Sequence, residues 1–230
     1  MSDIREFDLA ETSVRELNRY LHGELRDSDV ARISVQNPNG QHSIGAGLDC
    51  PVEVDIHGHA GYFIAGMNKQ ARVTVHGNVG WSVGENMMSG QVRVNGHASE
   101  SAGASAHGGL LVVDGDASSR CGISLKGGNV VVAGDVGHFS AFMAQAGTMV
   151  VCGNAGANLG DSLYEAVIYV GGSIDSLGAD AREEPMEASD IEALRDLLTE
   201  AGLEGDAENF RRVGSARSLY HWNAEAHQEY

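Results

Sequence analysis

Histidines, carboxylates and three cysteines are the residues of this 230-residue chain whose types and spacing could do chemistry. His57 and His76 stand 19 residues apart, each just before a glycine, and His59 and His97 share a second position two such intervals apart. Histidines stacked by a repeat can share a metal, but a metal site needs convergent ligands and a supporting second layer. A solvent-facing ladder needs neither and is the simpler reading. Asp116 and Asp135 also fall 19 residues apart and would repel as bare carboxylates unless they shared a proton or a cation. Their column holds His, Asn and Ser elsewhere, so accepting N–H groups of a turn is the expected role.

Gly80-Trp81-Ser82-Val83-Gly84 matches the pattern of a nucleophile elbow, yet nothing around it reads as the strand-turn-helix such a serine requires. No glycine-rich phosphate motif occurs, and the two lysines, Lys69 and Lys126, adjoin none. Cys50, Cys121 and Cys152 are too few and too scattered for a disulfide framework, an iron-sulfur motif or a zinc site, and read as reduced thiols. The expectation is a chain with no catalytic, cofactor-binding or metal-binding residue of its own.

What positions these residues is a repeat. Glycine recurs at Gly58, Gly77, Gly96, Gly115, Gly134, Gly153 and Gly172, a 19-residue period without insertion or deletion. Two residues earlier stand Ile56, Val75, Val94, Val113, Val132, Val151 and Val170, and four earlier stand Val54, Val73, Val92, Leu111, Val130, Met149 and Ile168. The column between them is mixed, from Asp55 and Thr74 to Val150 and Tyr169, so side chains alternate as in a strand. Ala60, Val79, Ala98, Ala117, Val136, Ala155 and Ile174 form a second inward column, and small residues recur at Ala65, Gly84, Gly103, Gly122, Ala141, Gly160 and Ala179. Gly90, Gly109, Gly128 and Gly147 mark a third corner.

One strand per repeat must pair with its equivalent one coil away, in parallel and in register. The fold class is therefore an all-β solenoid, a parallel, right-handed β-helix of about seven 19-residue coils, with adjacent coils about 4.8 Å apart and a rod roughly 35 Å long. Its ends need covers, because open ends expose strand edges. Ser13 with Glu16 reads as a capping box opening a helix with Val14, Leu17, Leu21 and Leu25 on one face. Ser189 with Glu192 repeats the signature before a second helix closed by Gly202. Ile33, Val35 and Ile44–Leu48 read as an irregular opening coil. The expected organisation is residues 1–43 as N-terminal helix and opening segment, 44–180 as β-helix, 181–208 as C-terminal helix and 209–230 as a basic, aromatic tail. That tail shows no helix or strand period, and Phe210, Arg211, Arg212, Arg217, Tyr220 and Trp222 are residue types that buried partner contacts use. It is expected to dock a partner.

A net charge of −17 disfavours nucleic acid and anionic membrane surfaces. The polar stretch Met1–Glu6 lacks the apolar core of a signal peptide and no apolar run approaches a membrane span, so the expected location is the cytoplasm.

Gly77-Asn78-Val79-Gly80, Gly134-Asp135-Val136-Gly137-His138 leading to Phe142-Met143 and Gly147, and Gly153-Asn154-Ala155-Gly156-Ala157-Asn158 leading to Tyr169-Val170-Gly171-Gly172 resemble the GXGXG β-helix of glutamate synthase large subunits. The likeness covers residues 44 to 180. As a free-standing chain it is most similar to the stand-alone β-helix subunit of N-methylglutamate synthases and of split glutamate synthases. The resemblance implies a hetero-oligomer with a glutamine-amidotransferase-like subunit and a glutamate-synthase-like subunit that carries FMN and an iron-sulfur cluster. It further implies formation of N-methylglutamate and ammonia from methylamine and L-glutamate, with the β-helix as a non-catalytic spacer. Ser99, Ser101 and Ser105 depart from the family pattern.

Two alternatives stay open. One is the β-helix subunit of a formylmethanofuran dehydrogenase, whose partners would carry a pterin-bound metal. The other is an independent enzyme, a hexapeptide-type acyltransferase or a zinc hydratase, although 19 is not a multiple of the six-residue period of the former.

Overall fold

The computed structural model describes residues 3–217. Its backbone is one eleven-stranded sheet wound into a solenoid. The elements are β1 (Asp3–Asp8), α1 (Val14–His22), β2 (Val30–Gln36), β3 (Glu53–His57), β4 (Arg72–Val75), β5 (Gln91–Val94), β6 (Leu110–Val113), β7 (Lys126–Val132), β8 (Ala146–Val151), β9 (Val167–Val170), β10 (Ala181–Glu184), α2 (Ala188–Glu200) and β11 (Arg211–Ser215).

From β3 to β9 the strands pair in parallel and in the register the period dictates: Val54 faces Val73, which faces Val92, and so on to Ile168. A second parallel ladder of single bridges runs from Ala60 through Val79, Ala98, Ala117, Val136 and Ala155 to Ile174. The interior is filled by columns of side chains such as Ile64, Val83, Ala102, Cys121, Ser140 and Leu159, all fully buried. The solenoid expectation holds.

The glycine column turns the chain after each strand, but handed backbone geometry is not what demands glycine there. Only Gly58 of the seven has a positive φ. A Cβ at Gly77 would lie 2.6 Å from the Gly58 carbonyl carbon, and one at Gly134 would lie 2.2 Å from an Asp116 carboxylate oxygen and 2.9 Å from the Gly115 carbonyl oxygen. Consecutive turns stack too closely for any side chain. Positive φ is concentrated instead at the next corner, where alternate residues are left-handed: Phe63, Ala65 and Met67 in one coil, Ser82, Gly84 and Asn86 in the next, Phe139, Ala141 and Met143 further along. Alternation points successive N–H groups to opposite neighbours, so Phe63 donates to Trp81 of the following coil and Ala65 to Ile44 of the preceding one.

The rod starts earlier than residue 44. Ile33 and Val35 belong to a regular strand, β2, which pairs with β3, and β1 pairs with β2. Ile33 sits opposite Val54, an interval of 21 residues rather than 19, which is why these residues drop out of the period. Helix α1 has the expected capping box: the Ser13 N–H donates to the Glu16 carboxylate at 3.0 Å and the Glu16 N–H to the Ser13 hydroxyl at 3.2 Å. Leu17 and Leu21 are buried.

The same helix then substitutes for a missing coil. Interior coils satisfy the corner N–H through the preceding coil's carbonyl, as Gly84 does with Ile64. In the first coil no such carbonyl exists, and the Asn18 side chain takes its place, accepting from Gly45 N–H at 3.0 Å and donating to the Ser43 carbonyl at 2.8 Å. Asn18→Ala is therefore expected to destabilise the protein by about 1–3 kcal/mol, because a partly buried donor and acceptor lose their partner together. Equilibrium denaturation against wild type checks this, and an unchanged midpoint would rule out the capping role.

The C-terminal region corrects three expectations. Helix α2 begins earlier than the Ser189–Glu192 signature implied: Glu187 is its N-cap, and the Asp190 carboxylate accepts the Glu187 N–H at 2.9 Å. Gly202 does close it, at φ +65. Residues 181–184, expected to belong to a helical segment, form β10. Arg211–Ser215, read as tail without strand period, is β11, which inserts antiparallel between β9 and β10. Five residues whose partners lie up to about 45 positions away carry no local pattern to reveal that pairing.

Helix α2 lies across the outer face of the sheet. Leu194, Leu197, Leu198 and Ala201 pack with Phe210 against Leu110, Val112, Val131, Val150 and Tyr169. The outer column runs Asp55, Thr74, Arg93 and then Val112, Val131, Val150, Tyr169, so it becomes apolar at the strand where the helix begins to cover it. Arg93 marks the boundary: it donates to the Ala201 carbonyl at 2.7 Å and is paired with Asp114. A cation at the helix C-terminus also complements its dipole.

Candidate functional site

The rod's interior is filled, so the candidate sites are on its outer surface. Its most regular polar feature is the column after the glycines. The N–H of Asn78 donates to His59 Nδ1 at 3.0 Å, that of His97 to Asn78 Oδ1 at 2.9 Å, and that of Asp116 to His97 Nδ1 at 2.9 Å. Asp135 then donates to Asp116 Oδ1 at 2.9 Å, Asn154 to Asp135 Oδ1 at 2.7 Å, and Ser173 to Asn154 Oδ1 at 2.9 Å. Asp116 and Asp135 thus accept turn N–H groups as the sequence suggested, and His59 and His97 do the same with one ring nitrogen. Each acceptor serves the following coil.

His57 and His76 stack with ring centroids 4.8 Å apart and planes within 6°. His76 also contacts Asp55 at 2.8 Å. Among the described residues no group of three or more His, Cys, Asp or Glu side chains is placed to hold a metal. Ser82 sits at a left-handed corner position, φ +60, with its N–H bonded to Glu100 of the next coil. It therefore lies within the solenoid wall rather than at the tip of a strand-turn-helix.

The thiols are in three different coils. Cys121 is fully buried in an interior column, and burial pushes its thiol up to about 12. Burial raises Cys152 as well, and burial followed by the charge of Asp49 raises Cys50. None is poised as a thiolate, the form that ligates a cluster or attacks a substrate.

Beside the end of α2, where the outer face loses its helix, a groove of about 380 Å³ opens over β2–β5. Arg32, Arg72, Arg93, Glu53, Asp55 and Glu200 line it. Arg32 is paired with Glu53 and Arg93 with Asp114, which spends two of the three cations within the chain.

The expected docking residues separate into three groups. Phe210, Arg211 and Arg212 are used internally: Phe210 is buried under α2, Arg211 donates to the Gly172 carbonyl at 2.9 Å, and Arg212 joins Glu184 and Asp190. Arg217 pairs with Asp180 through Nε at 2.7 Å. Tyr220 and Trp222 lie outside the described residues. The polar core of this region is Asp190, which accepts from the Tyr169 hydroxyl at 2.7 Å and from Arg212 Nε at 3.1 Å. Burial first, then the Asp190 carboxylate, drives the Tyr169 phenol upward and keeps it a donor.

The sequence reading passed over the large apolar side chains left on the surface: Ile4, Tyr62, Met67, Trp81, Met88 and Met143 are each about half exposed or more. All but Ile4, in β1, fall outside the strand columns, within the left-handed corner or close on either side of it. The signal that could have found them is their column position, since an aromatic in an outward turn column has no core to enter. No helix among the described residues is long and apolar enough to cross a membrane.

No family model matches this chain. Over 219 residues it is 51% identical to Protein GlxC of Rhizobium meliloti (strain 1021), a match covering 95% of this chain and 96% of that relative.

Proposed function

The chain belongs to the GlxC family, and from that membership together with its geometry we propose that it is the structural β-helix subunit of a glutamate-synthase-like complex. The observation that carries this reading is the in-register stack of 19-residue coils with a filled interior, the form of the GXGXG domain it resembles. A rod of this kind holds fixed distances between the surfaces it presents. Its partners are a glutamine-amidotransferase-like subunit and an FMN-dependent glutamate-synthase-like subunit, the latter holding the flavin and the iron-sulfur cluster. The reaction we assign to the assembly is that of an N-methylglutamate synthase, methylamine and L-glutamate giving N-methylglutamate and ammonia. The raised thiols and the internally used histidines and carboxylates support a spacer rather than a reacting subunit.

Co-expression with those two subunits tests it. The expected result is a three-component complex that carries flavin and forms N-methylglutamate, while the isolated chain carries no flavin and forms none. Turnover by the isolated chain, or co-purification with a pterin-metal subunit in place of the flavin subunit, would sink the proposal.

A further inference from the structure

Three of the exposed apolar side chains stand together at one corner of consecutive coils. Tyr62 is 49% exposed, Trp81 61% and Met67 48%. Backbone hydrogen bonds fix their arrangement: Phe63 N–H donates to the Trp81 carbonyl at 2.8 Å, Ser82 N–H to the Glu100 carbonyl at 2.9 Å, and Met67 N–H to the Glu85 carbonyl at 2.7 Å. Tyr62, Trp81 and Glu100 therefore stand one above another in successive coils, about 4.8 Å apart. Glu85 lies beside Met67. The His42 ring, stacked on Tyr62 with centroids 3.7 Å apart, extends the row by one more coil.

Glu85 and Glu100 are half-buried, and neither carboxylate has a hydrogen-bond or ion-pair partner among the described residues. Comparable carboxylates elsewhere on the rod are matched: Asp55 with His76, Asp114 with Arg93, Asp190 with Arg212. Two unpaired carboxylates on the corner that carries the Trp81 ring and the face of Tyr62 not covered by His42 form a surface that attracts cations twice over. Guanidinium groups stack on indole and phenol rings, and they pair carboxylates with two hydrogen bonds.

We infer that this corner docks a basic segment of a partner protein, with arginine or lysine side chains set between the Tyr62 and Trp81 rings and the Glu85 and Glu100 carboxylates. Charge complementarity selects this occupant over a second copy: the two carboxylates have no partner of their own among the described residues, and a second chain would bring a further −17 against them. The partner's cellular setting rests on the scaffold reading above; the surface itself does not.

The test uses the full chain with Trp222→Phe, which leaves Trp81 as the sole tryptophan. The probe is a decapeptide of alternating arginine and leucine, with Trp81 emission as the readout. A blue shift on titration is expected. Affinity should fall at least tenfold in Glu85→Gln/Glu100→Gln and less than twofold in Glu192→Gln/Glu204→Gln, an equal loss of charge on the C-terminal segment. Equal weakening by both pairs means attraction to net charge alone and overturns the inference. In the co-expressed complex, Trp81→Ala should cut partner recovery at least tenfold, and an exposed indole can be removed without disturbing the coil. Undiminished recovery overturns the docking surface while leaving the scaffold reading standing, whereas no assembly even with wild type overturns the scaffold reading alone. A wild-type dimer abolished by Trp81→Ala would assign the surface to a second copy and also overturn it.

Discussion

Gly134→Ala is expected to lower the melting temperature by roughly 6–12 °C, corresponding to about 3 kcal/mol for a chain of this size. Its methyl carbon would sit 2.2 Å from Asp116 Oδ1, 2.9 Å from the Gly115 carbonyl oxygen and 3.0 Å from the Gly115 carbonyl carbon. The carboxylate can rotate away, but only by releasing the Asp135 N–H it accepts. The backbone of the preceding turn can move only by opening the coil stack. Gly40→Ala separates this contact from conformational strain, since a Cβ there meets nothing within 4 Å and only the φ of +71 opposes it. That variant should cost about 1 kcal/mol. Thermal unfolding of both, followed by circular dichroism, checks the difference; equal losses would mean that backbone handedness, not close approach, fixes the column.

Arg212→Ala should cost about 3 kcal/mol and release the C-terminal region as a unit. Its guanidinium lies between Glu184 and Asp190, with side chains only 21%, 22% and 15% exposed, and Asp190 is also the acceptor for Tyr169 and for the Glu187 N–H. Removing the cation leaves two carboxylates facing each other in a half-dry setting. Strand β11 and helix α2 share this junction, so hydrogen exchange should speed up in both while β3–β8 stay protected. Arg195→Ala supplies the contrast, because its partner Glu208 is 65% exposed, and a loss under about 1 kcal/mol is expected. Matching losses from the two variants would refute the junction.

The coils were legible because an in-register stack forces every column to repeat its chemistry. Val54 and Ile56 must point inward for the same reason as Val73 and Val75, and the reader sees one constraint many times. The left-handed corner was legible only at its middle position, where Ala65, Gly84, Gly103, Gly122, Ala141 and Gly160 are all small; Phe63, Ser82, Ser101, Arg120, Phe139 and Asn158 share its backbone conformation and no chemistry. Hydrogen bonds to both neighbouring coils impose that conformation whatever the side chain. The change from Arg93 to Val112 in the outer column did carry the position of α2, but its meaning depends on knowing that something lies above it.

The surface features divide in the same way. Acceptor roles for Asp116 and Asp135 followed from a column that mixes His, Asn, Asp and Ser, all able to accept an N–H. The fates of Phe210, Arg211 and Arg212 did not follow, because aromatic and basic residues look alike whether their partner is another protein or the chain's own sheet.

The polar ladder from His59 to Ser173 has a direction. In every rung the acceptor precedes the donor by 19 residues, so the coil that offers the oxygen or ring nitrogen has already left the ribosome when the N–H that needs it emerges. Helix α1 and β1, made first, supply the template for the opening coil, and each finished turn then templates the next. Synthesis and winding can proceed at the same growing end, with no need to wait for the complete chain. Strand β11, threaded between two earlier strands, arrives last and acts as the latch on a spool already wound.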